Sequence, residues 1–293
     1  MSNQSPVSRR MWTFFEPVHV VTYFAPEARA AFEEAGLRGF WRGYFAGRAA
    51  PLGRVRAEPV TASFFTFAPP MVARALPGVW DLATPDDALA ARSAGATAAL
   101  RRLLGESAAG VTGLADRLMR AADGLDCAGR VLAAANTALP VPGEPLARLW
   151  HAATLLREHR GDGHFAALLA ADIDGCEAVV LRAGIDADRG QLQPVRGWTD
   201  EQWDQAAARL ADRGWLDATG RATPAGVAAR QAVEDATDRA AARPWARLGA
   251  AATEDLAGLL APVARACAVV LPQPNPVGLP APAPARPAPE SGS

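Results

Sequence analysis

Lysine is absent from this chain of 293 residues, and all 30 basic residues are arginine. With the abundant alanine, that reads as the codon bias of a GC-rich genome rather than a functional choice. A surplus of charge is also lacking. The formal net charge of -1 argues against a protein that coats nucleic acid or anionic membrane, though it leaves room for a local basic face. Cysteine is scarce. Cys127, Cys176 and Cys267 lie far apart without CxxC spacing, which excludes a disulfide framework and fits buried free thiols in a reducing compartment. No apolar run approaches the roughly 18 residues of a membrane span. The opening "MSNQSPVSRRMWTFFEPVHVV" has no signal-peptide pattern, because Glu16, Pro17 and His19 interrupt its apolar stretch. The expectation is a cytoplasmic protein with no membrane partner. There is no P-loop, no GxSxG and no GxGxxG in a strand–helix context, so none of these routes indicates a cofactor.

What is present is helix. Apolar spacing predicts a helix over about 9–24, a second from Pro26 to Gly36 and a third over about 37–48. Residues 55–67 fit strand or helix. Thr84-Pro85 followed by Asp86 and Asp87 starts a helix to about Leu104, with a cap, a first-turn proline and acids at the positive end of the dipole. Further helices are expected over about 109–123, 126–138, 144–159, 163–172 and 174–184, with "PVPG" and "RGDG" as breaks. Residues 185–198 read as a connector. Thr199 and Gln202 form a capping-box pair at the head of the next helix. "WLDATGRATP" fits two short strands around Thr219-Gly220. Thr223-Pro224 opens a helix to about Ala242, and a last helix spans about 253–270. The expected division is a disordered 1–8, a helical region 9–140 with a ligand pocket, a winged-helix region 141–245, a C-terminal helix 246–271 and a disordered tail 272–293. Eight of the tail's 22 residues are proline. The fold class expected is all-α with a winged-helix module containing a small two-stranded wing.

The segment "ARLADRGWLDATGRATPAGVAARQ" resembles the second half of a MarR-type winged helix, and "HFAALLAADIDGCEAVVLRAG" supplies its earlier helices. Over residues 9–270, with "EPVHVVTYFAPEA", "GFWRGYFAGRAAPLG" and "LREHRGDGH", the chain is similar to a group of actinobacterial MarR-like helix-turn-helix proteins. That resemblance implies a homodimer paired through the helix 223–242, and DNA as a partner. The candidate DNA contacts are Arg209, Arg213 and, at the wing tip, Arg221.

The charges complicate that implication. Helix 199–213 carries Asp200, Glu201, Asp204 and Asp212 against Arg209 and Arg213. Carboxylates facing phosphate oppose the term that supplies most DNA affinity. The 14-residue connector also exceeds the three or four residues usual for a helix-turn-helix turn.

The first 80 residues differ, with nine Arg against five acids. Glu16, His19 and Tyr23 share one helix face. Glu16-x-x-His19 has the spacing of a di-iron ligand pair, but no second such pair exists, so no metal site is expected. Trp41, Tyr44 and Arg48 recur at helical spacing, a set able to line a pocket for a planar or anionic small molecule. In "REHRGDGH", His159 and Asp162 are further ligand-binding candidates, while Asp162 is also placed to cap a helix starting near Gly163.

The function expected is a dimeric, ligand-responsive regulator with weak or atypical DNA binding. The alternative is an enzyme of small-molecule metabolism that uses His19, Glu16 and His164 for proton transfer on a winged-helix scaffold. That alternative requires those residues to converge on one cavity.

Overall fold

The computed structural model describes residues 6–272 and 275–280. The order is α1 (Val7–Phe24), α2 (Pro26–Glu34), α3 (Phe40–Ala49), α4 (Ala57–Phe64), α5 (Pro69–Ala73), α6 (Pro85–Leu104), α7 (Val111–Ala122), α8 (Val131–Thr137) and α9 (Pro145–Ala170). There follow α10 (Gly175–Ile185), α11 (Arg189–Arg196), α12 (Asp200–Asp212), α13 (Pro224–Ala240), α14 (Arg243–Leu248) and α15 (Ala250–Ala268).

The start signal at α6 works as its residue types dictate. Thr84 Oγ1 accepts from the Asp87 N–H, the Asp87 carboxylate accepts from the Thr84 N–H, and Pro85 occupies the first turn. Such a cap contributes about 1 kcal/mol. Thr199 and Gln202 build the same box at α12.

Three larger cores among the described residues order most of these helices. The first joins α1, α6, α7, α9 and α15 around Phe15, Leu100, Leu118, Leu149, Trp150 and Leu260. The second gathers Phe45, Phe64, Phe67, Leu76 and Trp80 from the segments between Phe32 and Ala91, with Leu132 of α8. The third holds α10, α11 and α12 together through Val180, Leu181, Leu192, Trp203 and Leu210. Helix α9 reaches across the molecule, meeting α1, α6, α7, α8 and α13, with α8 and α13 both at residues 159–164.

Three expectations need correction. First, the two-stranded wing is not formed. Among the described residues there is no strand, and the segment after α12 carries one isolated antiparallel bridge, Leu216 to Ala222. The carboxylate of Asp217 instead takes the N–H groups of Thr219 and Arg221, which ties the turn to itself. The fold is all-α.

Second, "RGDG" does not break a helix. Helix α9 runs 26 residues straight through it. Gly163 is there for closeness: a Cβ would sit 2.5 Å from Nη1 of Arg130 and 3.3 Å from Cβ of Ala240. Asp162 therefore cannot cap α9; its Oδ2 accepts the Ala133 N–H at 2.9 Å and caps α8.

Third, the connector 185–198 contains α11, obscured in the sequence by Gly190 and Pro194 within it. The turn between α11 and α12 is thus residues 197–199, the three-residue spacing of a helix-turn-helix. Gly197 ends α11 with φ 78°, in the left-handed region that favours glycine.

Of the two readings open for residues 55–67, strand or helix, the helix forms, as α4 over Ala57–Phe64.

Expectations of disorder for 1–8 and 272–293 fall partly on residues 1–5, 273–274 and 281–293, outside the described residues. Of the remainder, Val7 and Ser8 open α1, and Leu279 packs with Leu271 against Val20. No helix among the described residues is long and apolar enough to cross a membrane.

Candidate functional site

A cavity of about 1270 Å³ lies between two sets of helices. One wall comes from α1, α3 and the second core, with Tyr23, Trp41, Tyr44, Arg48, Phe64 and Phe67. The other comes from α10, α11 and α13, with Leu181, Arg182, Leu192, Arg196 and Arg230. Helix α9 forms the back, presenting Arg157, Arg160 and His164 one turn apart. The described residues 276–278 and Pro280 run along one side.

The back wall is an ionic network. Arg48 holds Glu158 at two points, Nε to Oε1 and Nη2 to Oε2, each 3.3 Å, and Arg157 reaches the same carboxylate at 2.7 Å. Burial pushes the Glu158 carboxyl up, but Arg157 and Arg48 together outweigh it and leave its pKa well below the usual range. Glu16 goes the other way. It accepts from Trp12 Nε1 at 3.0 Å and lies 3.5 Å from Arg157, yet burial dominates and raises its pKa.

His19 sits one layer behind. Thr154 Oγ1 donates to the Trp150 carbonyl, so it accepts from Nδ1–H of His19 at 2.9 Å; Nε2 then accepts from the Tyr23 hydroxyl at 2.9 Å. The Trp150 indole donates to the His19 carbonyl at 3.1 Å. This directed chain requires a neutral imidazole. Burial lowers the His19 pKa well below its ordinary value, and the Arg157 charge adds to the effect.

Of the residues the sequence singled out, Glu16, Tyr23, Trp41, Tyr44, Arg48 and His164 line the cavity. His19 touches it only through Tyr23. His164 binds Thr237 Oγ1 through Nδ1 at 2.9 Å, and burial brings its pKa to about 4. His159 and Asp162 are not part of the lining. The His159 carbonyl accepts from Arg130, and burial brings its ring to about 4. Asp162 faces α8, and burial raises it to about 6.

The cavity arginines of α9 escaped notice because they share a face only if α9 is continuous. Arg196 was hidden inside the supposed connector.

The candidate DNA contacts are mostly engaged within the chain. Arg209 pairs with Glu177 at 2.7 Å and Asp174 at 2.6 Å. Arg213 donates to the carbonyls of Asp172 and Ala171 and stacks 3.7 Å over Trp215. Arg221 is exposed. The outer face of α12 presents Asp200, Glu201, Asp204 and Asp212. The turn before it docks on the second core: the Ala68 N–H donates to the Arg196 carbonyl at 2.9 Å, and Trp198 Nε1 donates to the Thr66 carbonyl at 3.0 Å.

A family model described as a helix-turn-helix family matches residues 8–272. The chain belongs to that helix-turn-helix family. No curated protein and no solved structure matches it significantly. In this helix-turn-helix protein the three-residue turn and its two helices lie within the match, and so does the cavity wall from Arg9 to Thr237. Helix α13, to which dimer pairing was ascribed, packs Val233 near Leu168 and Ile173 and joins its Asp238 to Arg160 of α9 in the same chain.

Proposed function

We propose that this helix-turn-helix protein is a small-molecule-binding regulator whose ligand occupies the cavity between the N-terminal helices and the helix-turn-helix. One observation carries the reading: α11, the first helix of the motif, is also a cavity wall, through Leu192 and Arg196. An occupant there touches the motif directly. The lining combines aromatic faces with a few polar groups, the usual make-up of a ligand pocket.

DNA contact, on this reading, is weak in the unliganded form, because α12 offers carboxylates and its turn is docked on residues 66–68. Binding is favoured over catalysis because both ring nitrogens of His19 are engaged and only His164 of the two histidines reaches the cavity.

The test joins native mass spectrometry of the purified protein with titration of DNA affinity against salt. A retained small molecule, and DNA affinity that changes with its removal and falls steeply with salt, support the reading. A protein that holds no small molecule, and whose DNA affinity is the same before and after extraction, refutes it.

A further inference from the structure

Among the described residues eight arginines line the cavity, and seven of them pair with a carboxylate: Arg9 with Asp238, Arg10 with Glu254, Arg48 and Arg157 with Glu158, Arg160 with Asp238, Arg182 with Asp186 and Arg230 with Glu234. Arg196 is the eighth. Among the described residues no carboxylate lies within ion-pair distance of it. Its guanidinium lies 4.5 Å over the Phe67 ring, and Nη2 makes one long contact, 3.4 Å, to the Pro276 carbonyl. A guanidinium half-removed from water, with five donors and one weak acceptor, has donors left to offer. Phe67 holds its plane in place.

The surroundings select the remainder of the ligand. Trp41, Tyr44, Phe64 and Phe67 form a continuous cluster, with Tyr44 and Phe67 centroids 5.6 Å apart and Trp41 and Phe67 6.1 Å apart. The volume, about 1270 Å³, exceeds what a single ring fills. We infer that the cavity takes a multi-ring aromatic molecule bearing one anionic group, with that group on Arg196 and the rings among Trp41, Tyr44 and Phe67. Arg196 is the one guanidinium of the eight without a carboxylate, so one anionic group is what it calls for; the other seven lie in ion pairs with Asp235, Asp238, Glu254, Glu16, Glu158, Asp186 and Glu234. The inference rests on the ligand-binding reading above and names the class of ligand.

Two fluorescent probes with the same rings separate charge from shape. 8-Anilinonaphthalene-1-sulfonate carries one negative charge; N-phenyl-1-naphthylamine is its neutral counterpart. The full chain is expected to bind the sulfonate at least tenfold more tightly. Arg196→Gln removes most of that preference and leaves the neutral probe's affinity within about twofold, because a charge-assisted pair is lost and the apolar surface is kept. Failure of both probes to bind the wild-type chain overturns the ligand-binding cavity itself, and the inference with it. Equal affinity for the two probes, or a sulfonate preference untouched in Arg196→Gln, overturns only the anionic class. If Arg196→Gln loses both probes, Arg196→Lys decides. A retained sulfonate preference upholds the inference, and its loss overturns it.

Discussion

Arg48 of α3 and Glu158 of α9 meet side by side, two nitrogens on two oxygens at 3.3 Å, with both side chains almost wholly removed from water. Their separation of 110 positions along the chain makes this a tertiary lock, joining the second core to the long helix. Glu158→Ala leaves Arg48 and Arg157 buried together with only Glu16 to balance them. The expected cost is about 3–5 kcal/mol, read from urea unfolding. Replacing the pair together, Arg48→Met with Glu158→Leu, should cost clearly less than Glu158→Ala alone. Equal costs would show that packing, rather than stranded charge, sets the loss.

Tyr23→Phe removes the donor to Nε2 of His19 and leaves that nitrogen without a partner. About 1–3 kcal/mol of stability should go with it. Tyr44→Phe is the control: it removes a contact to Arg48, which keeps Glu158, and should cost less. An equal loss for both would count against the directed chain from Tyr23 to Trp150.

All four histidines titrate low. Burial brings His151, His159 and His164 to about 4 and holds His19 well below its ordinary value. The unfolded chain therefore binds protons below about pH 6.5 that the folded chain refuses, and stability falls as pH drops from 7 toward 4. At pH 5 His151, His159 and His164 each contribute a loss on the order of 2 kcal/mol, and His19 acts in the same direction. Asp162, raised to about 6, acts in the opposite sense: its folded state holds a proton between pH 6 and 4 that the unfolded chain releases, a gain of about 1.4 kcal/mol at pH 5. Glu16 adds to that side. The net expectation is a lower urea midpoint at pH 5 than at pH 7, with a smaller drop in His164→Asn. A midpoint that rises on acidification would contradict it.

Gly197→Ala places a Cβ 2.6 Å from Cβ of Met71 and puts a side chain at φ 78°. It should cost about 1–3 kcal/mol and loosen the turn from residues 66–71. Met71→Gly in the same chain removes the clashing Cβ but not the backbone strain, so its rescue is partial, whereas Met71→Ala keeps that Cβ and should rescue less. Amide hydrogen exchange at Ala68 and Trp198 reads the loosening.

Neutralising the outer face of α12 with Asp200→Asn, Glu201→Gln and Asp204→Asn should tighten DNA binding at low salt if α12 faces the duplex. No change in affinity would place any DNA contact elsewhere.

Much of the helix content was legible because helix ends are written in short local signals. Thr84-Pro85 and Thr199-x-x-Gln202 marked their helices to the residue. The errors came where distant partners override local cues. "RGDG" continues a helix because Glu158, Arg160 and Asp162 find buried partners on α3, α13 and α8, which no local pattern reveals. The same error hid the cavity's back wall. "WLDATGRATP" has the alternation of a hairpin, but Asp217 binds its own turn and one bridge is all that forms. The pocket residues of α1 and α3 were visible as helical faces. Arg196 was not, because a helix holding both Gly190 and Pro194 looks like a loop.

Helix α9 has a mechanical consequence. At 26 residues it is about 39 Å of unbroken rod, gripped by the first core along one stretch and by α13 along another. A clamshell motion about the cavity would have to bend that rod. The chain turns off the rod just beyond its end, at Asp172, a non-glycine residue with φ 54° whose carbonyl is held by Arg213 of the α12 C-cap. The helices α10, α11 and α12 therefore join the rod at two places, through residue 172 and through α13, whose Asp238 is paired with Arg160.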